Sequence, residues 1–386
     1  MKFRFLILLS VSLIIILSCK KDTITESYLR GGNSIINTAD GNLLIAGYNV
    51  SSGNGFDGYL VKVTKSGEQI WAKYFGNTGT DAFYNVINAT GGGYVATGFQ
   101  EIPGYDQPNI YIVKTDDQGQ QLWQYVGDST KRTRGFGVAE TPDNGFIACG
   151  FVQDAVNSDR DIYLVKVNSL GSKVWEKRYG SRYSGSYTGI YDEAYSIVKA
   201  SDSGYFITGS LKGNIDCCGN SFLMKISANG DSLWTKSYSE ALGYSIAQTN
   251  DGNIIISGSS NISGQNAYLL KTDPAGAVIW EKFYAPTGYD YGTAIVQTLD
   301  GGYALAGYAS TSASANPDVS LYKINSNGSL VWAKKFGGSN VDQGFGIAGN
   351  PDGGFCITGL SNTGGSYIFL DRTDSTGIEL WQKNLK

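Results

Sequence analysis

Short stretches of alternating apolar and polar residues, separated by glycine-rich turns, run through most of this chain. Residues 135–180 show the pattern, with apolar stretches at 136–139, 146–149, 161–167 and 173–179. A period of two predicts half-buried β-strands, and the Asn, Asp and Gly residues between them tolerate the backbone conformations of tight turns. This segment therefore predicts a unit of four short strands.

The same unit recurs in a fixed register, marked by one tryptophan per unit. Each tryptophan follows a turn glycine by four residues, a cation by nine and a second glycine by 22 to 25. The tryptophans are Trp71, Trp123, Trp175, Trp234, Trp280, Trp332 and Trp381. The turn glycines are Gly67, Gly119, Gly171, Gly230, Gly276, Gly328 and Gly377. The cations are Lys62, Lys114, Lys166, Lys225, Lys271, Lys323 and Arg372. The second glycines are Gly47, Gly98, Gly150, Gly209, Gly258, Gly307 and Gly359.

Seven such units predict an all-β fold, a seven-bladed β-propeller over residues 31–386 with four antiparallel strands per blade. One unit cannot bury both of its faces, whereas units packed round a ring can. The approximate units, called repeats 1 to 7 below, are 31–76, 77–130, 131–180, 181–239, 240–288, 289–337 and 338–386. We expect each tryptophan to fill a gap between blades as a structural residue, and each cation to meet turn carbonyls or lie along a strand end. How the ring closes stays open, with residues 24–30 as a candidate addition to the last blade.

The first residues have the composition of an export signal. Lys2 and Arg4 precede an almost wholly apolar run at 5–17, which is short for a membrane-spanning helix. The segment Ile16-Leu17-Ser18-Cys19 looks like the lipobox of bacterial lipoproteins.

That resemblance implies that residues 1–18 are a signal peptide, and that Cys19 becomes the acylated N-terminus, carrying diacylglycerol and palmitate-type chains. Residues 19–30 would then be a tether that holds the body at the membrane. The alternative is an ordinary cleaved signal followed by an incidental cysteine.

Composition removes several classes of chemistry. The chain has no histidine, so catalytic triads that use an imidazole base and imidazole metal sites are excluded. Its net charge of −4 gives no electrostatic reason to bind nucleic acid. No phosphate-binding loop, dinucleotide fingerprint, zinc spacing or calcium loop occurs. We therefore expect no catalytic residue, no metal and no cofactor.

The loops differ between the two faces that a propeller would have. Turns after the first and third strands are short and uniform, whereas connections after the second and fourth strands vary in length and composition. Uniform turns serve the fold, and varied loops on a rigid scaffold more often bind. The face with the varied connections is called the variable-loop face below.

Candidate binding residues lie on the connections of that face. The longest connection joins repeats 3 and 4 and contains Tyr183, Tyr187, Tyr191 and Asp192, while Tyr105, Tyr289 and Tyr291 lie in or beside others. Aromatic rings beside carboxylates suit a sugar, a peptide or a protein partner. The alternative is that these tyrosines pack on one another.

Two further sets on this face are expected to be structural. Lys131, Arg132 and Arg134 are expected to form a solvated basic loop. Five repeats carry an aromatic residue at the head of the first strand, for which packing between blades is favoured over lining the channel mouth: Tyr84, Phe136, Tyr195, Tyr244 and Phe345. Repeats 1 and 6 have Asn33 and Thr293 there instead.

The cysteines other than Cys19 fall into two groups. Cys149 and Cys356 lie on second strands and are expected to be isolated buried thiols. Cys217 and Cys218 are adjacent in the loop of repeat 4. In an exported protein they are either a vicinal disulfide or plain loop thiols.

The segment at 163–180, with Gly171 four residues before Trp175, resembles the tryptophan-docking repeat of quinoprotein-type propellers. One branch of that family, the quinone-dependent dehydrogenases, has a vicinal cysteine pair beside its cofactor, which Cys217 and Cys218 match. Those enzymes usually have eight blades and insertions with Ca²⁺ ligands, for which this chain has no assignable cluster. The resemblance is greater to seven-repeat propeller lipoproteins of bacterial envelopes, which imply no activity.

The sequence therefore predicts a non-enzymatic outer-membrane lipoprotein of a bacterial cell envelope that binds a protein partner or a glycan through its variable-loop face. A carbohydrate-binding surface lipoprotein and a quinone-dependent oxidoreductase are the alternatives.

Overall fold

The computed structural model describes residues 30–50, 55–102, 104, 107–153, 159–180, 191–213, 219–261, 264–285, 288–312, 314–362 and 364–386. Within these ranges the regular structure consists of β-strands alone. The same ranges contain no helix of the length and apolarity that crossing a membrane would need.

Each repeat supplies a first, second, third and fourth strand in chain order. The first strands are β1 (Arg30–Asn37), β5 (Asp81–Asn88), β9 (Arg132–Glu140), β13 (Tyr191–Lys199), the second half of β16 (Ser232–Gln248), β20 (Tyr289–Gln297) and β24 (Asp342–Gly349). The second strands are β2 (Leu43–Val50), β6 (Tyr94–Glu101), β10 (Phe146–Gln153), β14 (Tyr205–Gly213), β17 (Ile254–Ser260), β21 (Tyr303–Ser310) and β25 (Phe355–Ser361). The third strands are β3 (Phe56–Val63), β7 (Pro108–Thr115), β11 (Arg160–Val167), β15 (Asn220–Ile226), β18 (Asn266–Thr272), β22 (Asp318–Ile324) and β26 (Tyr367–Thr373). The fourth strands are β4 (Gln69–Phe75), β8 (Gln121–Val126), β12 (Lys173–Tyr179), the first half of β16, β19 (Val278–Tyr284), β23 (Leu330–Phe336) and β27 (Glu379–Leu385).

Consecutive strands of a repeat pair antiparallel, which gives separate four-stranded sheets for repeats 1, 2, 6 and 7. Repeats 3 to 5 are joined into one eleven-stranded sheet. Its first link is a parallel bridge between Arg160 and Tyr191. Its second is β16, whose residues up to Glu240 pair with β15 and whose residues from Ala241 pair with β17.

The first strands face a common axis. β1, β5, β9, β13, β16, β20 and β24 contact one another in that order, and β24 contacts β1. The apolar core lies between adjacent sheets, as where Leu44 and Leu60 of repeat 1 pack with Val86 and Val113 of repeat 2. Four-stranded antiparallel sheets packed face to face round an axis form a β-propeller. The prediction of an all-β propeller is confirmed.

A β-bulge at the head of every first strand explains the second recurring glycine. In repeat 3, Gly135 and Gly137 pair with consecutive residues of β10, so Phe136 is left unpaired. The equivalent bulge occurs in each of the other repeats. Opposite it lies the second glycine, where a Cβ would overlap a carbonyl oxygen of the first strand, as Gly150 would with that of Arg134. Only glycine allows this approach, and the bulge turns its extra residue toward the axis.

The turn glycine before each tryptophan receives the tryptophan of the preceding repeat. Gly119 has φ of 74°, and a Cβ there would lie 2.8 Å from the Trp71 ring. The same contact joins Gly171 to Trp123 and recurs in every other repeat. The glycine therefore serves both the turn, which needs positive φ, and the close approach of an indole.

The recurring cation forms an ion pair that the sequence reasoning missed. Lys166 contacts Asp143 of the turn after the first strand at 2.8 Å, and its hydrogen bond lowers the pKa of Asp143 to about 2. Equivalent pairs join Lys62, Lys225, Lys271, Lys323 and Arg372 to Asp40, Asp202, Asp251, Asp300 and Asp352. Lys114, whose repeat has glycines in that turn, donates instead to the carbonyls of Gly92 and Thr115. The expected carbonyl partners are thus the main contacts only in repeat 2.

The ends of the ring meet without sharing strands. Arg30 donates from its backbone N–H to Ser366 Oγ at 3.0 Å, and Asn37 donates to the Gly349 carbonyl at 2.7 Å. Among the described residues, the sheets of repeats 1 and 7 each contain only their own four strands. Of the proposed addition at 24–30, residues 24–29 lie outside the described residues.

Candidate functional site

The two faces are separated by strand direction. First strands begin, second strands end and third strands begin on the variable-loop face, as the pairing of Arg30 with Asn49 and of Asn49 with Asp57 shows. The short turns that follow first and third strands lie on the opposite face. β12 ends and β13 begins on the variable-loop face, so the described ends that flank residues 181–190 both lie there.

A cavity of about 300 Å³ lies on the axis, lined by the first strands. The described residues that line it include no charged side chain. The bulge residue of every repeat lines it, namely Asn33, Tyr84, Phe136, Tyr195, Tyr244, Thr293 and Phe345. Hydroxyl and amide groups of Ser34, Asn85, Ser196 and Ser245 accompany them. The cavity thus offers aromatic faces and neutral hydrogen-bonding groups.

Four of the bulge aromatics touch in sequence along the cavity wall. Ring centroids are 5.0 Å apart for Tyr84 and Phe136, 5.4 Å for Phe136 and Tyr195, and 5.7 Å for Tyr195 and Tyr244. These spacings fall in the range in which aromatic pairs stabilise one another. Packing between repeats was favoured over lining the channel, and the structure shows that the same side chains do both.

A buried ion pair crosses the junction of repeats 3 and 4. Arg160 Nη1 donates to Glu193 Oε1 at 2.6 Å, and the two side chains are only 7% and 1% exposed. Tyr195 donates its hydroxyl to the other carboxylate oxygen at 2.6 Å. Burial raises the pKa of Tyr195 well above its usual value, so the phenol stays protonated and donates. Glu193 therefore links a third strand, a first strand and the aromatic wall of the cavity.

The Arg160 guanidinium is also held between two rings. Its central carbon lies 4.3 Å from the ring centroid of Phe151 and 4.7 Å from that of Tyr191. Cation–π contacts gain strength when the cation is desolvated. Together with the backbone bridge between Arg160 and Tyr191, they fix the residue at which the 181–190 connection ends.

Arg134 contradicts the expectation of a solvated basic loop. It lies on β9, is buried, and holds its guanidinium 4.2 Å from the ring centroid of Phe99. It also donates to Tyr84 Oη at 3.3 Å. Lys131 instead pairs with Glu176 on the outer strand of the same repeat. Arg134 therefore contacts the aromatic wall of the axial cavity, at Tyr84, from the variable-loop end of β9.

The predicted binding residues fall into three sets. Tyr191 and Asp192 are buried, at 8% and 1% exposure, so in the described structure they support β13 rather than present a surface. Tyr289 and Tyr291 are half-buried at the start of β20, with the Tyr291 ring stacked on Tyr308 at 4.4 Å. The other predicted site residues lie outside the described residues: Cys19, Tyr105, Tyr183, Tyr187, Cys217 and Cys218.

Cys149 and Cys356 are buried free thiols, which confirms their prediction. Burial raises the pKa of Cys149 to about 12, so this thiol stays protonated and unreactive. Among the described residues, no group of three or more His, Cys, Asp or Glu side chains could hold a metal ion.

Sequence reasoning missed Arg160 and Glu193. A partial signal was present at Arg160, which stands where the other repeats have uncharged residues such as Phe56 or Pro108. The position of Glu193 gives a weaker signal, because repeat 3 also has a charged residue there, Arg134. A charge that the other repeats lack indicates a specific partner. Which residue that partner is depends on the approach of two strands 33 residues apart.

Comparison with solved structures agrees with the propeller fold. The chain matches the Neurospora crassa Pan2 WD40 domain with a TM-score of 0.52 and 10% identity, over 87% of this chain and 88% of that one. It matches the Pseudomonas aeruginosa periplasmic gluconolactonase PpgL with a TM-score of 0.52 and 11% identity, over 81% and 87%. It matches Chaetomium thermophilum Sqt1 with a TM-score of 0.51 and 12% identity, over 91% and 83%.

At these identities the likeness concerns the fold alone. No family model matches the sequence, and no curated protein matches it significantly.

Proposed function

We propose that the chain is a seven-bladed, lipid-anchored envelope propeller that acts as a non-enzymatic binding or scaffold protein through its variable-loop face. Seven blades are supported by the seven bulges, the seven tryptophan–glycine contacts and the 27 described strands, of which β16 serves two repeats. The lipid anchor is supported by the lipobox-like segment that ends at Cys19.

The observation that carries the binding proposal is the set of buried contacts at the start of β13, where the longest connection ends. The buried pair of Arg160 and Glu193, the two rings round Arg160 and the parallel backbone bridge all lie where residues 181–190 meet β13. Burying an ion pair carries a large desolvation cost, so a gain in stability alone does not explain why this pair is present. It fixes the geometry at the end of a tyrosine-rich segment, which suits a binding loop on a rigid scaffold.

The test is crosslinking of the full-length lipoprotein in its native membranes, followed by affinity purification and mass spectrometry. We expect a stoichiometric protein partner whose crosslinks map to 181–190. Replacing both Tyr183 and Tyr187 with Ala should lose that partner without lowering the melting temperature. Tyr74→Ala is the matched control, because Tyr74 is a half-exposed aromatic on the outer strand of repeat 1. Retention of the partner by the double variant would exclude this loop as its binding site.

A second candidate function, binding of a small neutral carbohydrate, is favoured by the axial cavity. Its lining combines aromatic faces with hydroxyl and amide groups and has no charge. Sugars bind to aromatic faces and to neutral hydrogen-bonding groups of this kind. Calorimetric titration with uncharged monosaccharides should then show binding that Tyr244→Ala weakens and Tyr74→Ala leaves unchanged. No heat with any neutral sugar would remove this candidate.

A further inference from the structure

Repeats 5 to 7 carry more exposed aliphatic side chains where the outer strand begins than the described parts of the earlier repeats do. Within the three residues before the tryptophan, each of these three repeats has two aliphatic side chains that are 39% to 60% exposed. They are called the rim patch: Val278, Ile279, Leu330, Val331, Ile378 and Leu380. The two side chains are adjacent in repeats 5 and 6, whereas exposed Glu379 separates them in repeat 7.

The first four repeats provide an internal comparison. They keep one exposed aliphatic residue directly before the tryptophan, namely Ile70, Leu122, Val174 and Leu233. The residue before it is polar, namely Gln69, Gln121, Lys173 and Ser232. The single aliphatic residue is the extra residue of a bulge in the fourth strand, as the pairing of Lys62 with Trp71 and of Val63 with Gln69 shows. The fold therefore accounts for one aliphatic residue per repeat, and the second one in repeats 5 to 7 needs another explanation.

We infer that the rim patch rests on the lipid bilayer, so that the propeller lies on its edge and keeps the variable-loop face clear of the membrane. Contiguous exposed aliphatic surface marks a protein or membrane contact. Exposed Lys282 and Lys334 follow the patch on the same strands, at a position where repeat 4 also has an exposed lysine, Lys236. Aliphatic side chains flanked by lysines are typical of surfaces that bind at the headgroup–acyl boundary.

The length of the chain before the described structure favours a membrane as the occupant. This step rests on the proposed lipid anchor at Cys19. The described chain begins at Arg30, which is bound to Ser366 at the variable-loop end of repeat 7, whereas the patch residues of that repeat lie at the opposite end of its strands. Residues 19–29 span at most ~40 Å when extended. Reaching the far end of an outer strand from a first strand takes ~24 Å along the strands and ~14 Å across them. The anchor can therefore stay in the bilayer while the rim patch touches it.

Hydroxyl-radical footprinting of the full-length protein tests the inference. The protein is reconstituted in vesicles of phosphatidylethanolamine and phosphatidylglycerol, and the modification of each aliphatic side chain is compared with that in detergent. Modification of Ile279 and Val331 should fall about threefold or more, because side chains at the acyl boundary are shielded from aqueous radicals. Modification of the matched residues Leu122 and Leu233 should not change. Equal modification of all four in vesicles and detergent would overturn the inference.

Two measurements distinguish contact with the bilayer from other causes of protection of the rim patch. If protection rises with the protein-to-lipid ratio, a second copy covers the patch and the bilayer inference is wrong. Combining Ile279→Asp with Val331→Asp should restore modification of Val278 and Leu330, whereas Leu122→Asp with Leu233→Asp should not. The intact mass shows whether Cys19 carries acyl chains. Without them the proposed anchor fails, while footprinting of the same protein with added vesicles still tests the patch.

Discussion

The indole of Trp381, on the last strand, packs against Gly67 in the first repeat. A Cβ at Gly67 would lie 3.0 Å from the ring and 2.9 Å from the side chain of Lys383. Every other tryptophan has this relationship to the glycine of the following repeat. The ring therefore closes through the same contact that joins its neighbouring repeats, and the strands that the structure describes are not exchanged between the two ends.

Replacing Gly67 with Ala should destabilise the protein by about 2–4 kcal/mol, through positive φ and through overpacking against Trp381. The measurement is the urea midpoint, followed by intrinsic fluorescence. Gly252→Ala is the control, because Gly252 has a similar φ of 80° but no atom within 4 Å of an added Cβ. It should cost only about 1–2 kcal/mol. Equal losses in the two variants would show that the indole contact contributes nothing to closure.

Gly150→Ala should be more damaging, at about 3 kcal/mol or more, because the added Cβ would overlap the Arg134 carbonyl oxygen and neither backbone can move freely. Losing the bulge should also shift Phe136 away from the axis. The readouts are the melting temperature and near-ultraviolet circular dichroism. Gly91→Ala, with nothing within 4 Å, should leave both unchanged. A stable Gly150→Ala variant would mean that the bulge tolerates a side chain opposite it.

Arg160→Met should cost about 3–5 kcal/mol, because it leaves the Glu193 carboxylate buried without its cation. Adding Glu193→Gln should recover much of that loss. Chemical denaturation of the two single variants and the double variant gives the coupling energy. Additive effects would contradict a direct role for the pair.

Asp371 should make stability depend on pH. Its side chain is buried, neither carboxyl oxygen has a hydrogen-bond partner among the described residues, and burial, with Glu379 nearby, raises its pKa to about 8. The unfolded carboxyl ionises near pH ~3.9, so the unfolded state binds fewer protons between about pH 4 and pH 8. The free energy of unfolding should therefore fall as pH rises through this window.

Asp371→Val places there the residue that precedes the cation in repeats 1 to 3, such as Val61. The variant should be more stable than the parent at pH 8 and nearly equal to it at pH 4, by urea midpoints at both values. Parallel pH profiles for the two proteins would exclude Asp371 as the source.

Much of the fold was predictable because its main signals are local and repeated. The strand predicted at 173–179 agrees with β12, and the one at 161–167 falls one residue short of β11. The strand at 146–149 was placed correctly but ends four residues early, because β10 continues through buried Phe151 and Val152 to Gln153. Strand ends depend on pairing with neighbours, which periodicity does not record.

The candidate site was less predictable. Tyr191 and Asp192 were chosen for their residue types, and the structure buries both in β13. Arg134 was expected in solvent, and it lies against Phe99. Residue type predicts that an aromatic or charged side chain will bind a partner, but it does not identify that partner or the degree of burial of the side chain.

By itself, the sequence determined the repeat, the strands, the turns and the all-β class, because the spacing of glycines, tryptophans and alternating apolar residues is a property of each unit. Only the tertiary structure decided which groups meet between units. The pairing of Arg160 with Glu193, the arc from Tyr84 to Tyr244 and the contact of Trp381 with Gly67 all join different repeats. Such contacts depend on how the sheets pack round the axis, and no local pattern in the chain specifies which residues of different repeats come together.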